Sequence, residues 1–151
     1  MRENSQFISS EQVQDYIEKI IKYFSDKEKI KKIDGVYIFG SISRGELREE
    51  SDIDIAVIGD FNFSDKLDFI CDLENFLEKK VDLIDFNNSN LNFQAEIITN
   101  GRLIYCLDIE KNDLLEYKIL AKYLVFEEDR KIVLDEIYKR GSVFNEKSGI
   151  K

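Results

Sequence analysis

The run Asp52-Ile53-Asp54-Ile55-Ala56-Val57-Ile58 limits what this chain can fold into more than any other stretch. Strand side chains alternate between faces, so Asp52 and Asp54 share one face while Ile53, Ile55 and Val57 share the other. One face therefore belongs to a core, and the other carries two carboxylates in an element where aspartate is depleted. Two such charges about 4 Å apart repel by about 4 kcal/mol at an effective dielectric near 20. A cation between them removes that cost. Hard divalent ions with oxygen ligands suit the task, and magnesium binds through one or two protein carboxylates while keeping waters and substrate phosphates as its other ligands.

Upstream, Val36-Tyr37-Ile38-Phe39 reads as a buried strand that stops at Gly40. Gly40 lets the backbone approach another group closely, and Ser41 adds a hydroxyl and an N–H for a phosphate oxygen. Arg44 offers a guanidinium that can hold phosphate oxygens in pairs or, on an exposed helix, pair with Glu49 or Glu50. Residues 43–50 suit a short helix whose N-terminus lies beside the Gly-Ser turn, where unpaired N–H groups favour anions. Glu46, Glu49 and Glu50 then form a solvated face. A third carboxylate is available in Val81-Asp82-Leu83-Ile84-Asp85-Phe86. With Val81 and Leu83 inward, Asp82 faces the other way and is the preferred ligand. Asp85 shares the parity of Val81 and Leu83 and suits a turn with Asn87 and Asn88, although a bulge would exchange the two aspartates. In two-metal chemistry one ion holds a triphosphate and the other acidifies an attacking hydroxyl, whose proton Asp82 accepts.

Gly40-Ser41, ten intervening residues, Asp52-x-Asp54 and the later Val81-Asp82-Leu83 resemble the signature of the DNA polymerase β-like nucleotidyltransferase superfamily. The small size and the Arg44-Gly45 pair in the spacer resemble its minimal nucleotidyltransferase (MNT) branch. The resemblance implies an α/β (α+β) fold of one domain, a small mixed sheet flanked by helices. It implies catalytic and metal-binding roles for Asp52, Asp54 and Asp82, nucleotide contacts from Gly40, Ser41 and Arg44, two Mg2+ ions, and ATP as substrate. Members of that branch are typically antitoxins of HEPN-domain ribonuclease toxins, which they neutralise by moving AMP from ATP onto a tyrosine hydroxyl. A HEPN partner in a hetero-oligomer is thus implied. Two other readings share the signature: a small-molecule nucleotidyltransferase of the aminoglycoside-modifying kind, and a non-catalytic antitoxin that acts by binding. The first usually brings a further substrate-binding domain, and the residues after Cys106 suffice for barely two helices. The second would relax the need for Asp52, Asp54 and Asp82, all of which are present.

Composition closes other routes. With no histidine, Ser-His-Asp and Cys-His catalysis and histidine-based zinc sites are excluded. A formal net charge of -9 repels nucleic-acid phosphates, so no direct nucleic-acid binding is expected. Cys71 and Cys106 read as free thiols of a cytoplasmic protein, no secretory signal precedes them, and no apolar run is long enough to span a bilayer.

In chain order, residues 1–8 carry no pattern and read as a frayed lead-in. Ser9 and Gln12 resemble a capping box ahead of the helical stripe Val13, Tyr16, Ile17, Ile20, Ile21 and Phe24. Lys27, Lys29, Lys31 and Lys32 are solvating charges. Ser64 can cap a helix over residues 65–79 that buries Leu67, Ile70, Leu73, Phe76 and Leu77. A short helix over residues 91–99 closes at Asn100-Gly101, before the strand Arg102-Leu103-Ile104-Tyr105-Cys106. From Lys111 the chain is helical, with apolar residues spread too widely for one stripe, hence buried on several sides or set against a partner. A second segment, residues 129–140, stops at Gly141. The domain is expected over residues 10–141, with residues 142–151 a disordered tail.

Overall fold

The computed structural model describes residues 6–26 and 33–144, the last five of these by their backbone alone. Helix α1 (Ser10–Phe24) starts where Ser9 accepts a hydrogen bond from the Gln12 N–H, as the Ser-x-x-Gln spacing predicts. Two antiparallel strands follow, β1 (Ile33–Phe39) and β2 (Ile53–Gly59). Helix α2 (Phe63–Leu77) leads to β3 (Val81–Asp85), which lies parallel to β2. Helix α3 (Leu91–Asn100) turns into β4 (Arg102–Cys106), antiparallel to β1, and helix α4 (Ile109–Phe144) completes the order. The four-stranded sheet reads β3-β2-β1-β4. It is the small mixed sheet flanked by helices that the sequence implies.

Both faces of the sheet are covered. Ile53, Ile55 and Val57, all fully buried, join Val36, Ile38, Val81 and Leu83 in a core closed by α1 and α2. On the other face Tyr37, Ala56, Ile58 and Phe86 pack with Ile97 of α3 and Ile119 of α4. The face that carries Asp54 is thus polar only near the start of β2, and further along it is a second core. That second layer explains why β2 alternates in its first half and is apolar throughout its second.

Several expectations are corrected. Residues 43–50 form no helix. Gly40–Ile42 is a single 3-10 turn, Gly45 takes a left-handed φ of 71°, and Leu47 turns inward to complete burial. The carbonyls of Arg48 and Glu49, which a helix would keep for itself, accept hydrogen bonds from the Lys79 Nζ at 3.1 and 3.0 Å. Residues 6–8 are not a frayed lead-in: Phe7 bridges to Arg48, whose guanidinium lies over its ring, and the Ile8 N–H donates to the Leu47 carbonyl. Helix α2 is capped by Asn62, not Ser64, in a reciprocal box with Asp65. It ends at Glu78 in a left-handed conformation, before Lys79. Its core line is Phe69, Leu73 and Leu77, and Leu67 and Phe76 are exposed. Helix α4 is one helix that runs through Gly141. The lysines at 27–32 and the tail beyond residue 144 lie outside the described residues.

Candidate active site

The site is assembled by strand register. Phe39 pairs with Asp54 across the antiparallel β1–β2 ladder, and Asp54 pairs with Asp82 across the parallel β2–β3 ladder. Paired residues in adjacent strands present their side chains to the same face, so the turn after Phe39, Asp54 and Asp82 form a row at one end of the sheet. Asp52 stands one residue before β2 and is exposed. Register also separates the two candidates for the third carboxylate. Asp85 ends its strand and accepts a hydrogen bond from Asn88 Nδ2, in the turn expected for it, while Asp82 stands beside Asp54.

Gly40 is required twice over. Its φ is 69°, which strains any residue with a Cβ, and a Cβ built there would lie 2.1 Å from Asp54 Oδ2. The Asp54 carboxylate therefore rests against the bare α-carbon of the turn. The Gly40 carbonyl accepts from the N–H and the hydroxyl of Ser43, and the Ser41 carbonyl accepts from the N–H groups of Arg44 and Glu46, which holds the turn in shape without a helix.

Electrostatics tie the row together. The Asp54 carboxyl is pushed up to about 6, first by burial and then by the charges of Asp82 and Asp52, with Arg44 acting the other way and a hydrogen bond to Asp82 adding to the rise. Arg44 is exposed and its Nε lies 3.0 Å from Glu46 Oε1, so its partner is neither Glu49 nor Glu50. Among the described residues, no three carboxylates are disposed as a ready-made metal cage. The donor set nonetheless fits a divalent ion in kind: burial and the charges of Asp82 and Asp52 raise the Asp54 carboxyl, a cost that a cation would offset, and hard oxygen ligands are what magnesium takes.

One part of the site carries no motif. A cleft of about 490 Å³ opens beside the turn, with Phe39, Gly40 and Arg44 on one side and Phe93, Glu96 and Asn100 of α3 on the other. The Phe39 and Phe93 rings meet edge to face, 5.6 Å between centroids. Phe39 is legible as the last residue before the glycine turn, whereas no spacing in the sequence brings α3 to it. A larger cleft of about 660 Å³, lined by Asp34, Ile58, Asn87 and Asn112 among others, lies at the opposite end of the sheet, away from the aspartates.

A mixed sheet that ends in a Gly-Ser turn and a row of carboxylates is an arrangement for handling the phosphates of a nucleotide. The chain belongs to the polymerase β nucleotidyltransferase family, whose description, "Polymerase beta, Nucleotidyltransferase", matches residues 18–110. It is 30% identical over 125 residues to the protein adenylyltransferase MntA of Shewanella oneidensis, covering 79% of this chain and 85% of that protein. The fold is shared with a chain of the solved complex between a tri-AMPylated HEPN toxin and an MNT antitoxin from the same organism, at a TM-score of 0.64 and 24% identity over 83% of this chain and 98% of that one. A toxin-antitoxin structure with AMP-PNP gives the same TM-score of 0.64 and the same 24% identity, covering 82% and 97%.

Proposed function

We propose that this nucleotidyltransferase is a protein adenylyltransferase that moves AMP from ATP onto a tyrosine hydroxyl of a HEPN-type toxin, and so serves as that toxin's antitoxin. The observation that supports it most is Asp54, paired with Asp82 across the sheet and lying against Gly40, in a chain 30% identical to a protein adenylyltransferase. Asp52, Asp54 and Asp82 would hold Mg2+, which when bound would offset the triphosphate charge and acidify the attacking hydroxyl. Ser41 and the backbone of the turn receive phosphate oxygens, and Arg44 exchanges its exposed pairing with Glu46 for them at little cost. The cleft between Phe39 and α3 takes the nucleoside. The tyrosine oxygen forms a bond to the α-phosphorus, the bond to the bridging oxygen breaks, pyrophosphate leaves with the electron pair, and Asp82 accepts the hydroxyl proton. The free thiols of Cys71 and Cys106 suit a cytoplasmic setting, and among the described residues no helix is long and apolar enough to cross a membrane.

The test is mass spectrometry of the product of the neighbouring gene, incubated with the chain, ATP and magnesium. The expected result is an added AMP mass on a tyrosine, abolished by Asp52→Ala/Asp54→Ala. A partner that binds but stays unmodified with every nucleoside triphosphate would replace catalysis with neutralisation by binding. A partner that does not bind would direct the search to small-molecule acceptors.

A further inference from the structure

Helix α4 spans 36 residues, about 54 Å at 1.5 Å per residue. Its first part is anchored: Asn112 and Ile119 are buried, and Leu115 packs against the core that contains Ile97. From Leu124 to Lys139 every side chain except that of Glu127 is exposed, and the segment is far from polar: Leu124, Leu134 and Tyr138 are 65%, 41% and 42% exposed. A helix of this kind gains its stability from packing, which the rest of the described chain does not supply.

The order of its residues says what packs there. Leu120, Leu124, Glu127, Lys131, Leu134 and Tyr138 recur at alternating steps of four and three residues, the seam spacing of paired helices. Turned end for end about the level of Asp129, this seam is complementary to itself. Leu120 meets Tyr138 of the second copy, Leu124 meets Leu134, and Glu127 meets Lys131, each pair occurring twice by symmetry. Parallel pairing would set Glu127 against Glu127 and Lys131 against Lys131. Asp129 itself sits about 200° round the helix from Glu127 and Lys131, so it does not face its own mate. In the free chain Glu127 is held within the same helix by Arg130, three residues on, which leaves Lys131 on the seam.

We propose that two copies of this chain associate through an antiparallel, two-fold pairing of α4, centred on reciprocal Glu127–Lys131 ion pairs between flanking layers of Leu124, Leu134, Leu120 and Tyr138. Nothing in this pairing draws on nucleotidyl transfer, and the two readings stand or fall separately.

Sedimentation velocity of the full chain over a concentration series tests it. The wild-type chain is expected to show a reversible monomer–dimer equilibrium. Glu127→Lys and Lys131→Glu, each of which sets like charges against each other twice, should weaken the dimer by about tenfold or more. The double variant Glu127→Lys/Lys131→Glu restores opposite signs and should recover it. Glu136→Ala, off the seam, should leave it unchanged, and circular dichroism checks that every variant keeps its helix content. A chain that stays monomeric at every concentration overturns the proposal and leaves the exposed face to a different protein. So does a dimer that is indifferent to the single variants or is not rescued by the double one.

Discussion

One face of the sheet carries two polar clusters. At the start of β2, Asp54 and Asp82 press their carboxyls together, with Asp52 close enough to add its charge and Arg44 on the surface to counter it. Toward the other end, the Tyr37 hydroxyl donates to Glu116 and accepts from Asn112 Nδ2 at 3.2 Å, so that α4 is tied to β1 by groups that satisfy one another. Burial and the Glu116 carboxylate, against the opposing hydrogen bond from Asn112, keep the Tyr37 hydroxyl protonated far above its ordinary range. The first cluster is held in a state that costs free energy and the second in one that yields it. Like charges brought together by register suit a site that takes a cation, whereas a closed network of donors and acceptors points to architecture.

The sharpest way to break that contrast is Asp54→Asn. AMP transfer to the acceptor should fall by about 10²- to 10³-fold, as for loss of one preorganised electrostatic group, while the metal-free protein becomes more stable at neutral pH. Single-turnover transfer and thermal melts in chelator measure the two effects, and a melt that drops would place Asp54 in the architectural class instead. Gly40→Ala comes next: left-handed backbone strain of about 1–3 kcal/mol, together with eviction of the Asp54 carboxylate, should destabilise the fold and suppress transfer. Gly45→Ala is its control. That glycine also has a positive φ, but a Cβ there meets no atom within 4 Å, so stability should fall by about 1 kcal/mol with transfer retained. Tyr37→Phe reverses the pattern of the aspartate variant. It deprives Glu116 of a donor and Asn112 of an acceptor, which should cost about 1–3 kcal/mol in denaturant unfolding and leave the transfer rate per folded molecule unchanged.

The smallest effect is in pH. Asp54 titrates at about 6 in the folded chain against 3.8 for an ordinary aspartate. The unfolded chain therefore releases that proton first, and the stabilisation is complete below the lower value and lost as pH rises through the upper one. Metal-free protein should lose about 1 kcal/mol between those limits, after allowance for solvent screening of a half-exposed group. Asp54→Asn should flatten that part of the profile.

The strands and the faces their aspartates take were legible because those signals are local: alternation in Asp52–Ile58, the apolar run before Gly40, and parity in Val81–Asp85. The cap at Ser9 and the close at Asn100-Gly101 were legible for the same reason. Residues 43–50 misled because Arg, Glu and Leu suit a helix, while the hydrogen bonds that defeat one come from Lys79, some thirty residues away. Gly141 misled because one glycine inside a helix costs about 1 kcal/mol and does not by itself end it. The α3 wall of the cleft lacked any signal, since its approach to Phe39 depends on how β4 folds back beside β1.

Lys79 has a mechanical consequence as well. It stands two residues before β3, and its ammonium grips two carbonyls in the connection that leads from the Gly-Ser turn to β2. The turn at Gly40 and the carboxylate at Asp82, forty-two positions apart in the chain, are thereby joined by a strut as well as by the sheet. Displacing one would drag the other, so on the proposed reading the groups that receive phosphate and those that hold the ion keep their spacing while a substrate enters.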